Sequence, residues 1–472
     1  MIFISISLLI IYFFFFGYCL NGVLKGNLYY VLLYSILFFP VYTVFLALVF
    51  NGMESSFLNS ILQYSKELLI FSAVGIILFG KKELSRLSWS ISLLDWCFIG
   101  FIGISFIYLV LPIGEAAFLN KAIYFKNILL IGIFYSFGRN VKITNSQWSL
   151  LFKIIFGITF LACLTVVFEK LTGIHFHSLI GYAKYNQAIK EIDPVGIFGL
   201  TWTFEAQGGQ ARFGSFFSNP LEFSASMLIG VAGGIIYLLS VRHKSNQTKY
   251  LFVIFCAFFC VSLAYSRATF VAFFMMIIFM AFLLRYYKIL VIAFTSFLLI
   301  AIYIISFAPD DVKYFVEDTI KFENSSSLTH LVEWAEGLES MLSNPQGIGL
   351  ATSGNAGGVE KDLQVGGENQ YLIYGVQLGF LGLLFYLGML MIGIRNSWKA
   401  FNMSKIRVEA IIPFVAASVK FGMLLPLFTA NGEAYLYIAL VSWWLIGYSE
   451  SLFQSLKKAM LRDQRKGEMS IR

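Results

Sequence analysis

The sequence predicts an all-α polytopic membrane protein with about 12–13 transmembrane helices and two long external loops. Three observations carry that expectation. Mean hydropathy is +0.78. Hydrophobic residues make up 58% of the chain and charged residues 13%, where ordinary soluble domains carry roughly a quarter charged residues. Apolar runs of about twenty residues recur along the chain with few charges inside them. These runs are continuous and do not alternate, so they do not describe a β-barrel. Helices are then the structure that satisfies backbone groups in a bilayer.

Taken in order, the apolar spans lie near residues 3–20, 28–50, 66–80, 91–111, 121–138, 150–171, 221–240, 250–265, 268–284, 289–307, 371–394, 408–429 and 434–453. The first run, MIFISISLLIIYFFFFGYCL, has no basic leader and no small-residue cleavage site, so it reads as a retained span. Short loops carry Lys81, Lys82 and Arg86; Arg139 and Lys142; Arg242, Lys244 and Lys249; Arg285 and Lys288; and Arg395, Lys399, Lys405 and Arg407. The tail KKAMLRDQRKGEMSIR adds a last cluster. With these spans every cluster falls on one face, which the positive-inside rule makes cytoplasmic. A multi-pass protein of the cytoplasmic membrane with a cytoplasmic carboxy terminus is expected.

The opposite, external face then receives two long segments, Thr172–Pro220 and Ala308–Asn369, and a very short turn around Tyr265–Arg267. The expected organisation is amino-terminal helices over 1–171, an external loop over 172–220 and central helices over 221–307. A large external loop over 308–370, carboxy-terminal helices over 371–454 and a basic tail over 455–472 complete it. No internal repeat is visible. The net charge of +8 follows from the cytoplasmic loops, so no nucleic-acid partner is expected. All five cysteines fall in apolar runs, which suggests neither a disulfide framework nor a metal site.

Ala308–Asn369 is the longest polar stretch, rich in carboxylates and glycine, and reads as loop and short helix. A loop of this length is more often functional than a plain connector. Within the external segments, two arginines stand on the side the positive-inside rule disfavours. Arg212 lies just before the span at Leu221, and Arg267 lies where two spans meet with almost no loop. Each has a bland reading: a snorkelling anchor for Arg267, a pairing with Glu205 or Glu222 for Arg212. The functional reading is that both converge on an anion at the outer membrane surface, where a guanidinium fork suits phosphate oxygens. Asn219-Pro220 adds a helix N-terminus whose free N–H groups favour anions. His330 is expected on a short helix capped by Thr329 or a nearby serine. Asn344-Pro345 should end that helix, with Gly347 and Gly349 allowing a sharp turn. Glu368 and Asn369 border the next span, where a carboxylate either favours the helix N-terminus or serves as a base.

These landmarks resemble the O-antigen polymerase and O-antigen ligase superfamily of bacterial polysaccharide assembly. The resemblance rests on Arg212-Phe-Gly-Ser-Phe-Phe-Ser-Asn219-Pro220, on Ser266-Arg267-Ala268 at the head of a span, and on an ordered set in the large loop. That set is Trp334, Asn344-Pro345, Gly347-Ile348-Gly349, Glu368-Asn369-Gln370-Tyr371-Leu372 and Gly379-Phe-Leu-Gly382. It covers roughly residues 200–395, while the amino-terminal half agrees only in hydropathy. The resemblance implies a GT-C-like membrane fold and inverting glycosyl transfer outside the cytoplasmic membrane. The donor would be a glycan linked through pyrophosphate to undecaprenol, with no metal, nucleotide sugar or other cofactor. Arg212 and Arg267 would hold the pyrophosphate, with Asn219 and Asn369 in support. The base would be Glu368 or His330, because this chain has Glu368-Asn369 where ligase-like members and many polymerases have His-Asn. That departure favours a polymerase over a ligase. A flippase and a chain-length regulator of the same pathway would be partners besides the lipid bilayer.

A lipid-linked oligosaccharide flippase or other transporter is the competing class. It should show ionisable residues at mid-membrane and pseudo-symmetric broken helices. Lys153, Lys170 and Lys420 lie in or near spans but form no obvious pathway. A non-catalytic scaffold would not need two external arginines and a carboxylate together. The many aromatic residues fit either an apolar groove for a polyprenyl tail or ordinary lipid-facing positions, and the second is the simpler reading.

Overall fold

A computed structural model of the protein describes residues 2–79, 91–206, 209–241, 244–306, 325–354, 359–405 and 407–471. The cluster Lys81, Lys82 and Arg86, the loop residue Arg242 and residues 308–324 lie outside the described residues. Each expected span falls on a helix. These are α1 (Ile2–Leu24), α2 (Tyr29–Phe38) continued through a turn at Pro40 into α3 (Tyr42–Met53), α4 (Ser56–Phe79), α5 (Leu93–Val110), α6 (Phe118–Asn140) and α7 (Asn145–Thr172). After two short helices, α8 (Phe176–Leu179) and α9 (Tyr182–Lys190), come α10 (Pro220–Ser240), α11 (Lys244–Leu263), α12 (Arg267–Leu283) and α13 (Tyr287–Ser306). The chain closes with α14 (Ser325–Ser343), α15 (Gln370–Met403), α16 (Arg407–Thr429) and α17 (Leu436–Ile471). Among the described residues, 10 helices are long and apolar enough to cross a membrane, and the apolar parts of α11 and α12 are shorter. The protein is an all-α polytopic membrane protein.

Burial tells centre from periphery. In α16 and α17 78% of the apolar window is buried, against 22% in α1. The closest crossing joins α6 to α17, because Gly138 and Gly447 each sit against backbone of the other helix, where a side chain would not fit. Three boundaries differ from the sequence expectation. Helix α4 begins at Ser56, ten residues before 66, because Lys66 and Glu67 are partnered inside the protein and do not mark a membrane edge. Helix α14 starts at Ser325, a full turn before Thr329, which is therefore interior to the helix and not its cap. The basic tail continues α17 as helix to Ile471.

The large loop and α15 are built into each other. At Gly379 the helix breaks, with φ 69° and ψ −172°, a region open essentially to glycine alone. The segment Pro345–Gly349 enters the break. Phe380 N–H donates to Pro345 (2.9 Å), Ile348 N–H to Val376 (2.9 Å) and Gly349 N–H to Gln377 (3.1 Å). The Gln377 side chain completes the seam, accepting from Ala351 N–H (2.7 Å) and donating to Ser353 (3.0 Å). Irregular backbone at membrane depth survives only where protein satisfies it, and here it does. Gly379→Ala would add both left-handed strain and a collision with the Pro345 carbonyl. The expected cost is on the order of 3 kcal/mol or more, read as a lowered thermal midpoint of the detergent-solubilised protein. An unchanged midpoint would contradict this account of the break.

Candidate active site

The segments between α7 and α10, between α11 and α12, and between α16 and α17, together with α14 and the start of α15, gather at one end of the bundle. Arg212 owes its position to a tightly anchored loop. The two-residue strands β1 (Glu205–Ala206) and β2 (Gln210–Ala211) pair antiparallel, and Arg212 N–H donates to Phe204 (2.9 Å). Beneath them the buried Glu169 carboxylate accepts from Phe176 N–H (2.9 Å) and Ser215 N–H (3.0 Å). His177 Nε2 lies 2.7 Å from the Phe217 carbonyl, and His175 sits among the rings of Phe198, Phe204 and Phe213. Phe213 and Phe217 are themselves fully buried, so the residues flanking Arg212 act as apolar pegs.

The Arg212 guanidinium is half-buried, and its Nε has no hydrogen-bond partner among the described residues. Burial lowers its pKa, the nearby Arg267 lowers it further, and Glu368 and Tyr435 oppose the shift. Neither Glu205 nor Glu222 is its partner. Glu205 accepts from Ile197 N–H, and Glu222 accepts from the Ser218 hydroxyl and from Tyr437 N–H (3.2 Å). Arg267 is the first residue of α12 and is exposed. Ser266, before it, donates to Thr269 Oγ1 (3.1 Å), which also accepts from Ser224 of α10 (3.2 Å). Since α12 has 17 residues, it is about 25 Å long, short of the ~30 Å hydrocarbon core.

On the other side, α14 presents His330, Glu333 and Trp334. His330 Nδ1 lies 3.7 Å from Glu333 Oε2. That pairing raises the His330 pKa, with Glu368 adding to it and Arg267 opposing, and in turn lowers that of Glu333. Glu333 also receives the Glu368 N–H (3.4 Å), and the chain there needs Gly367, whose Cβ would overlap the Glu333 carboxylate. Arg212, Arg267, His330 and Glu368 thus lie within range of one another's charge. Asn219 and Asn369 have a different place. Each caps its helix, Asn219 Oδ1 accepting from Leu221 and Glu222 N–H (3.0 and 2.8 Å) and Asn369 Oδ1 from Tyr371 and Leu372 N–H (3.0 and 3.2 Å). The amides expected to face an anion at Asn219-Pro220 are thus taken by the cap.

Tyr435 is a residue that sequence reasoning missed. It feels Glu368, Glu222 and Arg212, and burial pushes its phenol well above the usual value. Its turn is fixed from below by Glu433, which is buried with Lys420 (3.3 Å) and accepts from Tyr386 Oη (2.9 Å) and Trp443 Nε1 (2.9 Å). Glu433 N–H donates to Gln370 (3.0 Å), so this network joins α15 immediately after Glu368-Asn369 to the Tyr435 turn. Lys420 is thus partnered by Glu433 within the protein. An apolar groove of about 490 Å³ opens beside the site, lined by Trp334, Leu338, Tyr371, Leu383, Leu387 and Phe428, with Asn369 at its rim.

Residues 251–387 match the model of a family described as O-antigen ligase. This segment is similar to that family. The matched O-antigen ligase segment holds Arg267, His330, Glu368 and Asn369, while Arg212, Asn219 and Tyr435 lie outside it. No curated protein matches the chain. Members of the O-antigen ligase family are glycosyltransferase-like enzymes of the bacterial inner membrane that act on lipid-linked glycans. Two guanidinium groups beside a carboxylate and an imidazole can hold a doubly charged leaving group and accept a proton next to it.

The loop beneath Arg212 carries its own pH dependence. Burial lowers His175 to about 4 and His177 to about 3, against about 6.5 in an unfolded chain. The unfolded loop binds more protons at these two histidines between those values, so their contribution to stability is full above pH 6.5 and is lost as pH falls toward 4 and 3. Opening of residues 173–219, read by hydrogen exchange corrected for the intrinsic slowing of exchange at lower pH, is expected to rise between pH 7 and pH 5. A double variant, His175→Phe with His177→Gln, should flatten that rise, and an unaltered rise in the variant would exclude these histidines as its cause.

Proposed function

We propose that the protein is a polysaccharide polymerase. It joins undecaprenyl-pyrophosphate-linked repeat units by inverting glycosyl transfer outside the cytoplasmic membrane, in O-antigen, capsule or exopolysaccharide assembly. The observation that supports this most directly is the meeting of Arg212, Arg267 and Glu368 at one end of the bundle, with an apolar groove alongside. In this reading the two arginines bind the donor pyrophosphate, and the groove takes the first isoprene units of its tail. Glu368 removes the proton from an acceptor sugar hydroxyl. The hydroxyl oxygen attacks the anomeric carbon as the bond to the phosphate oxygen breaks. Undecaprenyl pyrophosphate departs with the electron pair, its growing charge held by the guanidiniums. The pairing with Glu333, which raises the His330 pKa, favours the imidazolium and so positive charge beside the leaving group. The loops of this end face the exterior, and the flippase and chain-length regulator of the same pathway are its partners.

The family's description favours a second reading, a ligase that moves finished polymer to a lipid A core or other acceptor. One experiment separates the two, the carbohydrate profile of a strain lacking the gene. Single repeat units on the surface acceptor identify a polymerase. Full-length polymer held on its lipid carrier identifies a ligase. Lipid-linked single units trapped in the inner leaflet would instead identify a transporter and remove the assignment of Arg212, Arg267 and Glu368.

A further inference from the structure

A second group of charges lies inside the amino-terminal helices, on residues that the proposed transfer does not use. Lys66 and Glu67 stand midway along α4, with side chains 12% and 11% exposed. The Lys66 ammonium lies 3.3 Å from Glu67 Oε1, donates to Tyr42 Oη (2.7 Å) and sits over that ring at 4.4 Å. Lys126 of α6 reaches the same Glu67 oxygen at 3.1 Å, and the second oxygen, Oε2, is buried with no hydrogen-bond partner among the described residues. Lys190, the last residue of α9, is solvent-accessible yet enclosed by protein. It faces the rings of Tyr182 and Tyr185 at 5.8 and 5.6 Å and makes no ion pair among the described residues. Gln63 of α4 bridges the two parts by donating to Tyr185 Oη (3.3 Å). Lys66 lies within range of the charges of both Lys126 and Lys190.

Lys66 and Lys126 thus share one carboxylate oxygen of Glu67, and Lys190 adds a third cationic side chain within range of Lys66. The next anion, Glu222, is within reach of Lys190 but is occupied by Ser218 and Tyr437. Ionisable side chains within membrane helices are costly, and an excess of one sign there marks a place where a charged ligand passes or rests. Glu222 also connects this group to the site, since both it and Arg212 act on Tyr435. The exposed position of Lys190 supplies access.

We propose that Lys126 and Lys190, with Lys66 behind them, form a subsite for a carboxylate borne by the glycan, so that the repeat unit handled here contains an acidic sugar such as a uronic acid. The subsite rests on the glycosyl-transfer reading for its purpose, though binding at it does not require turnover. It uses other residues than the pyrophosphate position proposed for Arg212 and Arg267.

The test is saturation-transfer NMR on the full-length protein in detergent, with cellobiouronic acid as probe and cellobiose as its neutral counterpart. The acidic disaccharide should bind, bind less at high salt, and be about tenfold weaker with Lys126→Gln and Lys190→Gln combined. Lys126→Arg with Lys190→Arg should restore binding, and Arg212→Lys should leave it unchanged. Equal signals from the two disaccharides, or undiminished binding in the glutamine variant, would overturn the subsite. A deletion strain with normal polymer would overturn the transfer reading alone, because the NMR signal is independent of it.

Discussion

Replacing Arg212 by lysine is expected to lower polymer formation roughly 10²- to 10³-fold, the loss typical of one donor aimed at charge that develops in the transition state. The protein should still fold and insert. The Arg212 Nε has no hydrogen-bond partner among the described residues, and the loop is anchored by Glu169, His177 and the phenylalanine pegs. What lysine loses is the planar pair of donors that matches two phosphate oxygens at once. It also gains a group whose charge is easier to suppress by burial beside Arg267. Arg267→Lys should cost less, because an exposed cation is better screened by water and salt. Polymer length and amount in complemented cells, normalised to protein in the membrane, measure both. Full output from Arg212→Lys would end the pyrophosphate-clamp reading.

Much of this arrangement was legible in the chain. The spans followed from hydropathy, and both arginines stood out because the expected topology put them on the face that the charge rule disfavours. Their meeting with Glu368 could be suspected only through the resemblance, since residues 212, 267 and 368 come together by tertiary packing that no local pattern encodes. The seam at Gly379 illustrates the same limit. Asn344-Pro345, Gly347 and Gly379 each read as punctuation, but nothing in the sequence says that the first segment inserts into a break made by the last. Charge misled where it was satisfied internally. Lys66 and Glu67 looked like a membrane edge and proved to be interior, and Lys420, read only as lying in or near a span, pairs with Glu433, thirteen residues later. Tyr435 carried no signal at all beyond a polar turn, Asn431-Gly432-Glu433, between two apolar spans.

Glu368→Gln is the other substitution with a large expected effect, a fall of roughly 10²- to 10⁴-fold, the range associated with removing a positioned general base. The amide keeps the shape of the side chain, and the backbone contact of residue 368 to Glu333 is untouched, so folding should be preserved. His330→Ala should cost far less, on the order of tenfold. The physical difference lies in what surrounds each group. A base must be free to take a proton at the working pH. His330 is paired with Glu333 and faces Glu368, and both raise its pKa and hold the proton it would need to shed. Its useful contribution is then positive charge near the leaving group. Glu333→Gln, by releasing His330 from its pair, should shift the alkaline limb that loss of the His330 charge contributes to the pH–rate profile toward lower pH. If His330→Ala abolished transfer while Glu368→Gln remained active, the two roles would have to be exchanged, with the histidine as base and the carboxylate as the group that orients it.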